Sequence, residues 1–345
     1  MIDCPLRDEP FSIDSPLMDI MLSPAASEIV NRHMDSVLET IPGDFASTTA
    51  PSFSAIISLK MLAAMGDSTA AALTAINREL AALEVTDSDR VARCVRYDIE
   101  PPQLDIPDGK PRILLFEKIN GFRDGPSVEA AAASLRAMAL RNGWPLVGAA
   151  NGAVMSAEIL AQFDVVIWNN ISGDVLTLGQ REAFQDYINT GGGFVGIHGS
   201  GGDPMYFWDW YVDELIGARF IGHPMDPQFQ DAKLQVETTD SGIGSDLSPG
   251  WSMNDEWYSF ATSPRSSGAQ VILTLDESSY SPVGRGGQDL RMGDHPVAWT
   301  RCVGKGRSFY SAIGHRPEVY SEPEHVKLLE QAIVWAGGNA NESCD

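Results

Sequence analysis

Five of the six histidines in this chain fall between residues 198 and 325, and four of those sit in turn-like settings. The settings are Gly196-Ile197-His198-Gly199, Gly222-His223-Pro224, Asp294-His295-Pro296 and Gly314-His315-Arg316-Pro317. His198 and His315 each follow a strand-like apolar run, Phe194–Ile197 and Phe309–Ile313. An imidazole changes charge near neutral pH, so it can take or give a proton in catalysis. A second cluster, Asn254-Asp255-Glu256-Trp257-Tyr258, joins two carboxylates to two aromatic rings. Carboxylates move protons or bind hydroxyls, and rings stack on sugar faces. A solitary histidine most often bonds a local carbonyl, and an Asp-Glu pair is often a solvated turn. Two strand-terminal, Gly-flanked histidines beside such a pair outweigh that plain interpretation. His198, His315 and Glu256 are therefore the acid/base candidates. Arg123, Asp124, His223, Asp255, Trp257, Tyr258 and Trp208 are the substrate-binding candidates. His198, His223, His315 and Glu256 also offer the nitrogen and oxygen donors that zinc or another divalent ion accepts, although their spacing is no local metal motif.

The elements that must position these groups begin at residue 112. Short apolar runs at 113–116, 146–148, 165–168 and 194–197 alternate with helical stretches at 127–142, 156–163 and 178–188. Continuous apolar strands separated by helices predict a parallel sheet covered on both faces, with its site beyond the carboxyl ends of the strands. Residues 234–238 and 271–275 predict further strands, and 298–300 with 308–310 a hairpin turned at Gly304-Lys305-Gly306. Residues 324–335 predict a closing helix. Gly192-Gly193-Phe194-Val195-Gly196-Ile197-His198-Gly199-Ser200 has the shape of a nucleophile elbow, with His198 at the exposed position. No cysteine is near it, which argues against thiol acyl transfer, and Ser200 lies two residues past the elbow. Gly284-Arg285-Gly286-Gly287 and Gly304-Lys305-Gly306-Arg307 match neither a P-loop nor a Rossmann fingerprint and predict turns.

Residues 1–85 are different in kind. Four helical segments are predicted, one opening at Ser15-Pro16, one at Ser23-Pro24, then 54–65 and 68–83, and their Ala-rich composition points to a small bundle, not a catalytic centre. Residues 86–111 are rich in Asp and Pro and predict a linker or extended segment. Residues 339–345 are a tail.

With 47 acidic against 24 basic residues in 345, the net charge is −23. Nucleic acid and anionic membrane surfaces both need a Lys/Arg face that this chain lacks. Four scattered cysteines without a Cys-x-x-Cys pair argue against a disulfide framework and a zinc ribbon. The N-terminus shows no signal-peptide pattern, and no run reaches the ~18 apolar residues of a spanning helix. The expectation is a soluble cytoplasmic protein.

Residues 112–338 resemble the ThuA-like (trehalose-utilisation) family. The resemblance rests on Phe116-Glu117-Lys118 with Gly121-Phe122-Arg123; on Gly191-Gly192-Gly193-Phe194-Val195-Gly196-Ile197-His198; on Gly222-His223-Pro224 and Asp255-Glu256-Trp257-Tyr258; and on His295-Pro296-Val297-Ala298-Trp299, Gly304-Lys305-Gly306-Arg307 and Gly314-His315. These motifs follow the family's order over about two thirds of the chain. The resemblance implies a flavodoxin-like, class I glutamine amidotransferase-like doubly wound α/β fold with a mostly parallel sheet, preceded here by an all-α module. It also implies a role in sugar catabolism, with oxidised (keto) glycosides as the expected substrate class. One departure stands out: the family's Gly-Phe-Arg-His ends here in Asp124. Three functions fit: an acid/base lyase, hydrolase or isomerase acting on a sugar; a divalent-metal version of it; and a non-catalytic sugar-binding or scaffold protein. Self-association is compatible with each.

Overall fold

A computed structural model describes residues 2–34, 37–64, 69–237, 241–338 and 344. Among the described residues, the α-helices that come first are α1 (Leu17–Leu22), α2 (Pro24–His33), α3 (Val37–Thr40), α4 (Gly43–Ala46), α5 (Leu59–Ala64), α6 (Ala70–Ala81) and α7 (Asp87–Cys94). Ser23 caps α2 as its sequence predicts, accepting from Ala26 N, with Pro24 at the first helical position. Leu17, Ile20, Val30, Leu59, Ile76 and Leu80 form a core of their own beneath these helices. The segment expected to be extended from residue 86 starts instead with α7. Thr86 and Asp89 close a capping box there, which lets a charged, apolar-poor stretch fold as helix.

The second region follows as β1 (Ile113–Phe116), α8 (Gly125–Asn142), β2 (Leu146–Ala149), α9 (Ala157–Leu160), β3 (Val165–Asn169), α10 (Leu178–Asn189) and β4 (Gly193–Ile197). Then come β5 (Phe220–Gly222), β6 (Phe229–Val236), β7 (Gly250–Glu256), β8 (Ser259–Phe260), β9 (Gln270–Asp276), β10 (Pro296–Val303), β11 (Gly306–Ser311) and α11 (Pro323–Ala336). Nine strands form one sheet in the order β2-β1-β3-β4-β11-β10-β9-β6-β7. The first five run parallel, and from β10 onward every pairing is antiparallel. The sequence periodicity follows this division. Every residue of β1, β3 and β4 is buried, because both faces are covered, whereas β6 alternates exposed and buried along its length. Helices pack on the sheet through the large core that includes Leu135, Phe184, Phe194 and Leu329.

All four cysteines are paired, contrary to the expectation from their scatter. Cys4 joins Cys94 and Cys302 joins Cys344, with Cα separations of 5.5 and 5.4 Å. The pairing is invisible to local spacing because the partners lie 90 and 42 residues apart. The rest of the expected tail, 339–343 and 345, lies outside the described residues. Among the described residues no helix is long and apolar enough to cross a membrane.

Candidate active site

A cavity of about 530 Å³ opens beyond the carboxyl ends of β1, β3, β4 and β11, where an open α/β sheet places its ligands. The antiparallel extension adds the end of β7 to its wall. His198 follows β4 directly, with a φ of 40°. A non-glycine residue is rarely held in that region, and such strain is found where a side chain must be aimed. The turn is braced on both sides. Tyr310 Oη donates to His198 O at 2.8 Å, and Gly199 N donates to Asn170 Oδ1 at 3.3 Å. Gly314 lets the β11 loop approach, since a Cβ there would lie 2.9 Å from the His198 Cβ.

His198, His223 and His315 converge on Glu256. His315 Nδ1 donates to Glu256 Oε2 at 3.0 Å, and His223 Nδ1 lies 3.2 Å from Oε1. Gln228 Nε2 also donates to Oε1. His198 Nδ1 donates to Ala312 O at 2.7 Å, which fixes the proton on that nitrogen. Its Nε2 is buried and makes no hydrogen bond, with Glu256 Oε2 3.5 Å away. Tyr258 stacks on the imidazole, with ring centroids 4.2 Å apart. Glu256 is 2% exposed. Burial alone would raise its carboxyl, but the contacts from His198 and His315 outweigh burial and hold it far below the usual carboxylate range. The reciprocal effect acts on His315: burial lowers it, the Glu256 carboxylate more than compensates, and the net shift is upward.

The structure separates the remaining candidates. Asp255 is fully buried and accepts from Gly314 N at 2.6 Å and Arg316 N at 2.9 Å, so it positions the His315 loop without facing the cavity. Trp257 donates Nε1 to Gln230 O at 2.8 Å and belongs to the core. Trp208 packs on Phe184, Trp210 and the Arg181 guanidinium, away from this cavity. Arg123 is exposed, faces Glu129 at 3.8 Å and lines a different depression beside Lys118. Asp124 does line the cavity, and it caps α8 by accepting from Ser127 N at 3.2 Å. Aspartate is a favoured helix cap, which accounts for an acidic residue here in local terms. Ser200 is structural, donating to Trp168 O and accepting from Ile171 N. His295 has both ring nitrogens engaged, by Glu277 and by Tyr258 O.

Two contributors escaped the sequence. Asp203 lines the cavity and accepts from Ser172 Oγ at 2.5 Å and Gly173 N at 2.6 Å. Burial, offset only in part by those bonds, raises its carboxyl to about 7. The N-terminal helices, expected to be a small bundle and not a catalytic centre, supply Phe45, Phe53, Ile56 and Ile57 to the same cavity. An acid in Gly-Gly-Asp-Pro, past the turn that follows β4, was the local signal for Asp203; nothing in the helices marked those rings as cavity-lining.

A family model described as ThuA, trehalose utilisation, matches residues 112–336. The chain belongs to the ThuA family. Membership points to a carbohydrate-related function. A ThuA-like protein from Bacteroides uniformis is 24% identical with a TM-score of 0.56, over 68% of this chain and 95% of that one. A second, from Parabacteroides merdae, is 16% identical with a TM-score of 0.50, over 68% and 92%. These two share the fold. No functionally curated protein matches the chain.

Proposed function

We propose that this ThuA-family protein is an enzyme that acts on an oxidised (keto) glycoside by acid/base elimination on an amidotransferase-like fold. The observation that carries the reading is the His198 imidazole. Its Nδ1 proton is committed to Ala312 O, so Nε2, 3.5 Å from Glu256 Oε2, is the ring nitrogen left to exchange a proton. A ketone acidifies the neighbouring C–H. His198 Nε2 takes that proton, the C–H electrons form a C=C bond, and the C–O bond to the leaving group breaks. His315, whose charged form the Glu256 carboxylate favours, returns a proton to the departing oxygen. Asp255 holds the His315 loop, and Tyr258 fixes the plane of His198. Proton NMR of the protein with 3-keto-trehalose and methyl 3-keto-glucoside tests this. Turnover that falls by about 10²–10⁴-fold in His198→Ala is the expected result. Tight binding of both compounds with no spectral change would support a non-catalytic sugar-binding protein instead.

One observation favours a second reading, in which a divalent ion sits at the same place. Donor atoms of His198, Glu256 and His315 all lie within 4.8 Å of one another. A histidine whose Nδ1 proton is held by a carbonyl is oriented as metal-bound histidines are. His315 Nδ1 is held by the Glu256 carboxylate in the same manner. Stoichiometric zinc, or another divalent ion, in protein purified without chelator or affinity tag would favour this version.

Two disulfides also favour work in an oxidising compartment, against the cytoplasmic expectation. Mass spectrometry of alkylated protein from its native source decides it: four alkylated thiols would restore the cytoplasm.

A further inference from the structure

The acid/base chemistry uses one end of the cavity; the other end is an apolar wall that the N-terminal helices build. Phe45 of α4 stacks on Phe53 at 5.0 Å between centroids and 17° between planes. Phe53 stacks on Phe122 at 4.7 Å and 28°, and Phe122 lies 6.0 Å from the His315 ring. The rings thus form one ladder from the helices to the catalytic histidine. It is fixed in place by the backbone. Ser52 N donates to Asn120 O at 3.0 Å, and Phe122 N donates to Ser172 Oγ at 3.0 Å. Gly121 allows this closeness, since a Cβ there would collide with Ser172 and Ile56.

The wall leaves large apolar groups in water. Phe122 is 37% exposed, and Met225 and Ile221, which line the same cavity, are 39% and 42% exposed. Large apolar side chains gathered in solvent at a cavity mouth mark a surface that a ligand covers. Among the described residues, every lining residue that the helices contribute is apolar. A second sugar unit would leave its hydroxyls unpaired against that wall, at a cost in affinity. A planar aromatic group instead extends the stack. The volume of about 530 Å³ falls within the range of sites for ligands the size of one sugar and one ring.

We propose that the N-terminal helices are a specificity wall of this site, and that the substrate is a glycoside whose leaving group is an aromatic ring. This rests on the carbohydrate reading above and adds the aglycone to it. Calorimetric titration with methyl and phenyl 3-keto-β-D-glucopyranoside is the test. The phenyl compound is expected to bind about tenfold or more tightly than the methyl compound. That ratio falls toward one in Phe53→Ala and Phe122→Ala, and Phe53→Tyr, which keeps a ring, retains it. Circular dichroism checks the fold of Phe53→Ala; Phe122 is half-exposed on a loop, so its truncation tests the wall independently. Equal affinity for the two compounds, or a ratio that survives both alanine variants, overturns the proposal and leaves the carbohydrate reading standing. No binding of either compound overturns both.

Discussion

The polar and apolar ends of the cavity are held in opposite ways. At the polar end, Glu256 and His198 are buried, His315 is half-buried, and each is tied by a further contact: Glu256 by Gln228 and His223, His198 by Ala312 O, and the His315 loop by Asp255. These side chains stand at the ends of sheet strands that share one large core. At the apolar end, partly exposed rings stand on a four-residue helix, a single 3-10 turn and the loop at Phe122, stacked on one another and tied by the Ser52 and Phe122 backbone N–H groups. On the reading proposed above, the chemistry falls to the half with more ties and the selectivity to short elements with fewer. A mutation should therefore change either turnover or ligand preference, according to the end it strikes.

The largest effect is expected from Glu256→Gln, which keeps the side-chain shape and removes the charge on which three histidines converge. Turnover should fall by about 10²–10⁴-fold for methyl and phenyl 3-keto-glucosides alike, because the loss lies in proton transfer. Steady-state kinetics on both substrates measures it. A variant that kept its turnover but changed its preference between the two would erase the division of labour.

A middle-sized effect concerns stability. The Cys4–Cys94 bridge lies wholly in the helical region, and all eight tryptophans lie between residues 144 and 335. Tryptophan fluorescence therefore reports the sheet region alone, and far-ultraviolet circular dichroism reports both. Replacing both cysteines by serine should cost the helical region about 2–5 kcal/mol. The dichroism transition should then move to lower denaturant and separate from the fluorescence transition. Coincident transitions in the variant would mean that the two regions unfold as one unit.

The same contrast explains what the sequence disclosed. The strands β1, β3 and β4 were legible because burial on both faces demands continuous apolar runs, and His198 and His315 were legible as their Gly-flanked continuations. The Asp-Glu-Trp-Tyr cluster was found but not resolved. Extended chain points alternate side chains to opposite sides, so Glu256 and Tyr258 line the cavity while Asp255 and Trp257 turn away. The apolar wall was not legible at all. Phe53, Phe122 and His315 meet only through packing across long sequence separations, and an Ala-rich pattern shows that helices form, not where they dock. Cys4 and Cys94 were hidden for the same reason.

The smallest expected effect falls on the joint between the two ends. Asp203 holds Ser172, and Ser172 Oγ in turn accepts from the backbone N–H of Phe122. Burial raises the Asp203 carboxyl to about 7, whereas an unfolded aspartate titrates near its ordinary value of about 3.9. The folded protein therefore binds this proton more tightly than the unfolded chain does. Its contribution to stability is complete at low pH and is lost as pH rises through about 7, with a slope of at most about 1.4 kcal/mol per pH unit. Asp203→Asn cannot ionise. It should be less stable than the parent at pH 5, where the protonated acid keeps both of its hydrogen bonds, and it should lose less stability between pH 5 and pH 8. Denaturant midpoints at the two pH values give the comparison. Parallel losses in parent and variant would mean that Asp203 does not titrate in this range, and that the joint beneath Phe122 is as fixed as the strand ends beside it.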